Sequence, residues 1–183
     1  MGLIRVDGPA TEPVTLAEAK AQLRLEHNDD DALIDGLIVA AREYAEAVTR
    51  RALITQTWKL TLDAFCAKID LPKPPFQSVA SVKYLDTGGV ERTLDPAAYD
   101  AVFDTTEAFV MPAYGTSWPS TRDQAGAVRI AFVAGYENAN EVPQAIKQGM
   151  LIHLTQLYED REGGGTIPPA VDVLYWPYRV VTF

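Results

Sequence analysis

The sequence predicts an α+β fold: a mainly helical core of three helices, a β-rich antiparallel insertion between the second and third helices, and an extended C-terminal tail. Apolar residues recur every three or four positions in residues 15–51 and 143–161, a spacing typical of amphipathic helices. Over residues 54–63 they alternate with polar residues, as in a half-buried strand, and further short strands with a hairpin turn are predicted up to residue 135. We therefore expect one domain over residues 13–162, followed by a glycine joint and a docking tail over residues 163–183.

The first helix is predicted over residues 15–25 from the pattern at its start. Thr15 and Glu18 have the spacing of a capping box. In that motif the threonine hydroxyl accepts a hydrogen bond from the later backbone N–H, and the carboxylate accepts one from the threonine N–H. Pro13, just upstream, keeps the preceding residue Glu12 extended.

The second helix is predicted over residues 29–51, after the run Asn28-Asp29-Asp30-Asp31. Asn28 or Asp29 can cap it, and carboxylates suit the positive end of the helix dipole. The run lacks the ligand spacing of a calcium loop, so we interpret it as a helix start and not as a metal site. The expected buried stripe consists of Leu33, Ile34, Leu37, Ile38, Ala41, Tyr44, Ala45 and Val48.

Alternation over residues 54–63 predicts the first strand of the insertion. The run Asp86-Thr87-Gly88-Gly89 is rich in residues that tolerate a positive φ and predicts a hairpin turn. Together these features favour a small antiparallel sheet or sandwich. Further strands are predicted over residues 78–85, 90–94, 99–103, 108–111 and 127–133.

A third helix is predicted over residues 143–161, where Pro143 suits the first turn. Its His153 has no carboxylate or cysteine companion in the sequence, so we interpret it as a packed side chain. Gly163-Gly164-Gly165 ends the helix and predicts a flexible joint. The tail beyond is too short for a core of its own, so its apolar and aromatic side chains must dock on their own domain or on a partner.

The chain of 183 residues has a formal net charge of −9, from 16 basic and 25 acidic residues. Because affinity for DNA comes mainly from cations that displace counterions, this balance argues against a protein that grips DNA. No apolar run is long enough to span a membrane, and the first ten residues lack the apolar region of a signal peptide. The single cysteine, Cys66, excludes an internal disulfide.

Sequence motifs for catalysis are missing. There is no phosphate-binding loop, paired-cysteine zinc pattern, His-Glu-x-x-His or Gly-x-Ser-x-Gly sequence. We therefore expect no enzyme activity, no cofactor and no metal. An alternative of another class is a small hydrolase or sugar-binding module on the β-rich insertion, with Trp58 and Trp118 as binding aromatics.

Several segments resemble the head–tail connector family of tailed phages. Residues 14–25 and 31–34 resemble the opening of that family, and residues 40–46 resemble its continuation. Later pieces agree with the family in pattern and order. They are residues 71–75, 78–82, 134–136, 142–143, 158–162 and 174–179.

The resemblance implies a structural virion protein at the head–tail junction of a phage, prophage or gene transfer agent. In this family, twelve copies form a ring beneath the portal protein and extend the DNA channel. A tail-side neck or tail-terminator protein binds the other side of the ring, and DNA passes through the lumen without sequence-specific binding. The family has no catalytic residues to carry over.

Two sets of residues are candidates for these contacts. The resemblance implies that the C-terminal tail reaches toward the portal, through Val173, Leu174, Tyr175, Trp176, Tyr178 and Arg179. For contact between ring subunits, the predicted second helix offers Leu37, Arg42, Tyr44 and Arg51. The open alternatives are a head-completion or tail-terminator protein of the same neck, and an acidic regulatory partner protein.

Overall fold

The computed structural model describes residues 1–103, 107–160 and 166–180. The chain forms two compact units. The β unit comprises residues 1–8 and 55–135, and the helical unit comprises residues 9–54 and 136–183. The β-rich insertion predicted over residues 54–135 therefore has nearly the same bounds as the longer segment of the β unit.

Eight antiparallel strands in two sheets make up the described part of the β unit. One sheet has the order β1-β2-β8-β4-β5, and the other has the order β3-β7-β6. The strands are β1 (Gly2–Asp7), β2 (Gln56–Leu62), β3 (Ile69–Asp70), β4 (Phe76–Leu85), β5 (Glu91–Thr93), β6 (Tyr99–Phe103), β7 (Ala108–Pro112) and β8 (Val128–Ala134).

Alternation of apolar and polar residues places the core of the β unit on one side of β2 and β8. Every second residue of each strand is buried. Leu60 lies opposite Ile130 in the antiparallel register, and both are fully buried. The rings of Phe76 and Phe132 stack at 5.3 Å between centroids. The antiparallel β-rich prediction is thus confirmed, but β1 and β3 are strands that the sequence did not predict.

The helical unit contains four α-helices among its described residues, where the sequence predicted three. Thr15 and Glu18 form the predicted capping box at the start of the first helix. None of the described helices is both long and apolar enough to cross a membrane. The helices are α1 (Leu16–Leu23), α2 (Asp31–Thr49), α3 (Gln144–Glu159) and α4 (Pro169–Tyr175), and a 3₁₀ turn (Trp176–Tyr178) follows α4.

The acidic run before α2 is a helix start, as predicted, but its cap differs from the prediction. Asp30 occupies the N-cap position, without a side-chain capping hydrogen bond. The Lys20 ammonium donates to the side chains of Asn28 at 2.6 Å and Asp31 at 2.7 Å. This cation offsets part of the negative charge that the run concentrates at one place.

The core of the helical unit gathers side chains from all four helices. The predicted stripe of α2 is shifted around the helix, because Ile34, Ile38, Ala41 and Ala45 are buried while Leu33 is 41% exposed. The fully buried members of the core from the other helices and the connecting segments include Val14, Ala19, Leu53, Ile146, Met150, Leu154, Val171 and Tyr175.

The prediction of an extended C-terminal tail is wrong for residues 169–178, which are helical. Pro169 stands in the first turn of α4, where a missing backbone N–H costs nothing. Val171 and Tyr175 are four residues apart, so both point from one side of α4 into the core. The predicted glycine joint at residues 163–165 lies outside the described residues.

Candidate partner-binding surface

The inward side of α4 fits against α3 at a glycine. Tyr175 is fully buried. A Cβ atom at Gly149 would lie only 2.9 Å from the Tyr175 Cζ and 3.1 Å from its Cδ1, and closer still to its Cε1. A glycine inside a helix costs stability relative to alanine. Here it allows the tyrosine ring to approach the α3 backbone.

Two polar atoms at the contact of α4 with α3, Tyr175 Oη and His153 Nδ1, are buried without a hydrogen-bond partner among the described residues. The ring of Tyr44 packs edge-on against His153, with 4.7 Å between centroids, and lies 6.4 Å from the Tyr175 ring. Burial raises the pKa of Tyr175 well above its usual range and lowers the pKa of His153. Both groups are therefore held in their neutral forms at neutral pH.

The end of the described tail is fixed by backbone contacts near the end of α2. The Arg51 Nε donates to the carbonyl of Tyr178 at 2.7 Å. The backbone N–H of Val180 donates to the carbonyl of Thr49 at 3.0 Å. Together with the buried Tyr175, these bonds hold α4 and the following turn in one orientation.

The outward side of α4 and its 3₁₀ turn exposes Val173, Trp176 and Arg179. Val173 is 71% exposed and Trp176 is 70% exposed. These residues are three positions apart, so they lie on one side of the segment. The Arg179 guanidinium lies 5.5 Å from the centre of the Trp176 ring, within the range of a cation–π contact.

We call Val173, Trp176 and Arg179 the tail surface. It contains three of the six residues that the sequence proposed for portal binding. The other three contribute to the fold: Tyr175 is buried, and Leu174 and Tyr178 pack against the core of the helical unit. The sequence could not separate the two groups, because it predicted an extended tail with no inward side.

Of the predicted subunit-contact residues, Arg42 is buried inside the helical unit, only 3% exposed. Its Nε donates to Glu12 at 2.7 Å, and its Nη1 donates to Glu46 at 3.0 Å. The second oxygen of the Glu46 carboxylate accepts the backbone N–H of Leu53 at 2.9 Å. Burial, together with the nearby carboxylates of Glu46 and Glu43, raises the pKa of Glu12 in spite of Arg42. Arg42 thus pairs two segments of its own unit.

The other predicted subunit-contact residues also contribute to their own unit. Leu37 and Tyr44 are partly buried and pack against the core. Arg51 is buried and holds the Tyr178 carbonyl. Three of the four predicted residues thus lie on the inward and lateral sides of α2, and Arg51 lies just after its end. All four contact other residues of the helical unit.

The two tryptophans of the sugar-binding alternative have intramolecular roles in the β unit. Trp58 is buried in β2. The ring of Trp118 stacks on Phe65 at 4.5 Å, and its indole N–H donates to the Cys66 carbonyl at 2.6 Å. Over residues 1–103, 107–160 and 166–180, no group of three or more His, Cys, Asp or Glu side chains is placed to hold a metal ion.

Gly149, which accommodates the buried ring of Tyr175, is a residue that sequence reasoning missed. Its signal in the sequence is a glycine in the middle of a helical pattern, which usually has a packing reason. The partner it accommodates, Tyr175, is 26 residues away, and no local pattern connects the two.

The comparisons with known proteins agree with the resemblance. Residues 13–85 match the family described as "Phage gp6-like head-tail connector protein". No curated protein matches the sequence. A chain in the neck of an empty gene transfer agent particle, computed with C6 symmetry, is similar with a TM-score of 0.85 and 27% identity. The similarity covers 100% of this chain and 97% of that one.

Two further solved structures are similar over the same extent. A chain in the virion of a native gene transfer agent particle matches with a TM-score of 0.84 and 27% identity. A chain in the neck of the native particle, computed with C12 symmetry, matches with a TM-score of 0.82 and 27% identity. In each case the similarity covers 100% of this chain and 97% of the other.

Proposed function

We propose that this chain binds the portal protein through its tail surface. The chain is a phage head–tail connector protein and a structural part of the virion at the head–tail junction. The proposal extends to a ring of twelve copies beneath the portal, which lengthens the DNA channel. The similar necks have C6 and C12 symmetry, which supports assembly of this chain into a ring with copies of itself.

The observation that carries portal binding is the exposure of Trp176 on a fixed segment. Tryptophan and arginine are the residues most enriched among those that dominate binding energy. Trp176 is 70% exposed and lies beside Arg179. Because Tyr175 and Arg51 already hold the segment, a partner meets an ordered surface, and little conformational entropy is lost on binding.

The acidic charge supports passage of DNA through the ring. Each copy carries a formal charge of −9. A lumen lined by acidic protein repels the phosphate backbone, so DNA moves through it without being gripped. We propose that a tail-side neck or tail-terminator protein binds the side of the ring opposite the portal.

Replacement of Trp176 by alanine tests the tail surface. We expect Trp176→Ala to weaken binding to the portal protein of the same particle by about 2 kcal/mol or more, which is roughly a thirtyfold rise in Kd. Surface plasmon resonance with immobilised portal rings measures this change. Tyr114→Ala removes a fully exposed aromatic ring from the β unit and is the control, with no expected effect on Kd.

A point substitution is a sharper test than deletion of the tail. Val171 and Tyr175 belong to the core, so removal of residues 166–183 would uncover apolar surface and unfold part of the helical unit. Trp176→Ala leaves these side chains in place. Equal portal affinity of Trp176→Ala and the unaltered chain, at equal melting temperature, would exclude the tail surface from the portal contact.

A further inference from the structure

The outward side of α2 carries few charges. Of the residues that this helix exposes, only Asp35 and Glu43 are charged. A surface helix normally has polar residues on the side away from its core, and a helix that is apolar all round is buried. The remaining exposed residues are apolar or glycine: Ala32, Leu33, Gly36, Val39, Ala40 and Ala47.

This side of α2 adjoins a recess in the helical unit. The recess has a volume of about 300 Å³, and it is lined by α2 and the segment that leads into α1. Val39 lies at its edge and is itself 37% exposed. The outward side of α2 therefore combines protruding side chains, Leu33 and Val39, with an adjacent hollow that can receive a side chain of another molecule.

Small residues on α2 allow another backbone to come close. Gly36 and Ala40 are four positions apart and both are exposed. A Cβ atom at Gly36 would have no atom of the described part of its own chain within 4 Å. The distance between packed helices depends on the side chains at the contact, and small ones allow the shortest approach.

The net charge of the helical unit indicates which kind of molecule packs against the outward side of α2. The helical unit has 15 acidic and 8 basic residues, so the helical units of two copies repel each other on the whole. A contact between copies therefore favours a part of the surface with few charges. The outward side of α2 meets that condition, whereas a basic partner would favour the acidic parts.

We infer that the outward side of α2, with its adjoining recess, is the surface through which one copy of this chain packs against the next copy. The inference rests on the ring proposed above and gives it a specific contact. Closure of a ring requires each copy to use two different surfaces, and this is one of the two. The side of α2 concerned is opposite to that of Ala41 and Ala45, which are buried in the protomer.

Two matched alanine substitutions test the inference. Ala40 and Ala21 are both exposed helical alanines, on α2 and α1 respectively. We expect Ala40→Arg to keep the melting temperature of the chain but to reduce the fraction of portals that carry a complete ring by at least about tenfold, because an arginine cannot fit a close helix contact. Ala21→Arg makes the same chemical change and should assemble like the unaltered chain.

The experiment mixes each full-length variant with purified portal rings of the same particle and counts complete rings by electron microscopy. Val39→Lys, at a second position of the same side, should reproduce the loss. Portals that carry isolated copies of Ala40→Arg without ring closure would support the inference directly, since portal binding would then persist without contact between copies.

The outcomes separate this inference from the proposed function. Absence of rings with the unaltered chain would overturn the ring itself. Complete rings with Ala40→Arg and Val39→Lys would overturn only the α2 contact. Loss of even single-copy portal binding by both variants would also overturn it, because it would assign this side of α2 to the portal.

Discussion

The helical unit and the β unit are built on different kinds of core. Among the described residues, seven polar or charged side chains are buried, and Gln56 is the only one of them in the β unit. The helical unit buries the other six: Arg42, Glu46, Thr49, Arg51, Lys147 and His153. Its core is therefore specified by polar pairings and close approach, whereas the β unit depends on apolar packing between its sheets.

Because the two cores differ, the two units should differ in how well they tolerate amino-acid substitutions. An apolar core tolerates substitutions that keep the volume nearly constant. A buried charge tolerates little, because loss of its partner leaves the charge uncompensated. We therefore expect the helical unit, which also carries the candidate contact surfaces, to be the more sensitive to single substitutions and to pH.

The largest expected effect is at Arg42. Arg42→Met removes the cation that pairs with Glu12 and Glu46, and we expect it to lower the free energy of unfolding by about 3–5 kcal/mol. Chemical denaturation measures the loss. The conservative contrast is Ile130→Val in the core of the β unit, where removal of one methyl group should cost only about 0.5–1.5 kcal/mol.

A second substitution shows whether the uncompensated charge causes the loss. Glu46→Gln retains an oxygen that can accept the Leu53 N–H and removes the negative charge. The double variant Arg42→Met/Glu46→Gln should therefore be more stable than Arg42→Met alone. If the double variant were less stable than Arg42→Met, an uncompensated charge on Glu46 would not be the cause of the loss of stability.

The sequence predicted the local features of both units well. Thr15 and Glu18 are three residues apart, and the capping box depends on nothing else. The strands β2 and β8 follow from alternation within seven residues each. Such features depend on neighbours in the chain, so a single sequence contains the information for them.

Features that depend on distant residues were not predictable. The helix α4 is a different case, since it was missed although its signals are local: Pro169 fits a first helical turn, and Val171 and Tyr175 have helical spacing. Pairing of Arg42 with Glu12 joins positions 30 residues apart. The strand β1 was missed because its pairing with β2 supplies most of its order, and five of its six residues are exposed.

The next largest expected effect on stability comes from comparing glycine-to-alanine substitutions at two positions of the helical unit. Gly149→Ala places a Cβ atom against the Tyr175 ring, and overpacking of this kind costs about 1–3 kcal/mol. Gly36→Ala adds the same methyl group to open space on another helix of the same unit, where alanine is favoured by about 0.8–1.0 kcal/mol. Thermal unfolding of the two variants should show shifts of opposite sign.

The glycine pair also sharpens the argument for the tail surface. If Gly149→Ala displaces Tyr175, the neighbouring Trp176 loses its fixed position, and portal affinity should fall together with stability. Gly36→Ala should leave the tail surface unchanged. An increase in melting temperature for Gly149→Ala would show that Tyr175 does not need the close approach to α3.

The smallest expected effect is a dependence of stability on pH that belongs to the helical unit. Burial lowers the pKa of His153 below the value it has in the unfolded chain. As the pH falls through the unfolded value of about 6.5, the unfolded chain binds a proton that the folded chain does not, so the free energy of unfolding decreases. Stability from this group is complete above that pH and is lost on acidification toward the folded pKa.

Replacement of the imidazole by a ring that cannot titrate isolates this contribution. His153→Phe should unfold with a smaller loss of stability between pH 7 and pH 5 than the unaltered chain, while at pH 8 the two should differ only through packing. Hydrogen exchange, corrected for the intrinsic effect of pH, can assign the loss to α3 and α4 rather than to the strands β2 and β8. An equal loss of protection in both units, or an unchanged pH dependence in His153→Phe, would show that His153 does not cause the pH dependence of the helical unit. The difference between the two cores would then rest on Arg42 and Gly149.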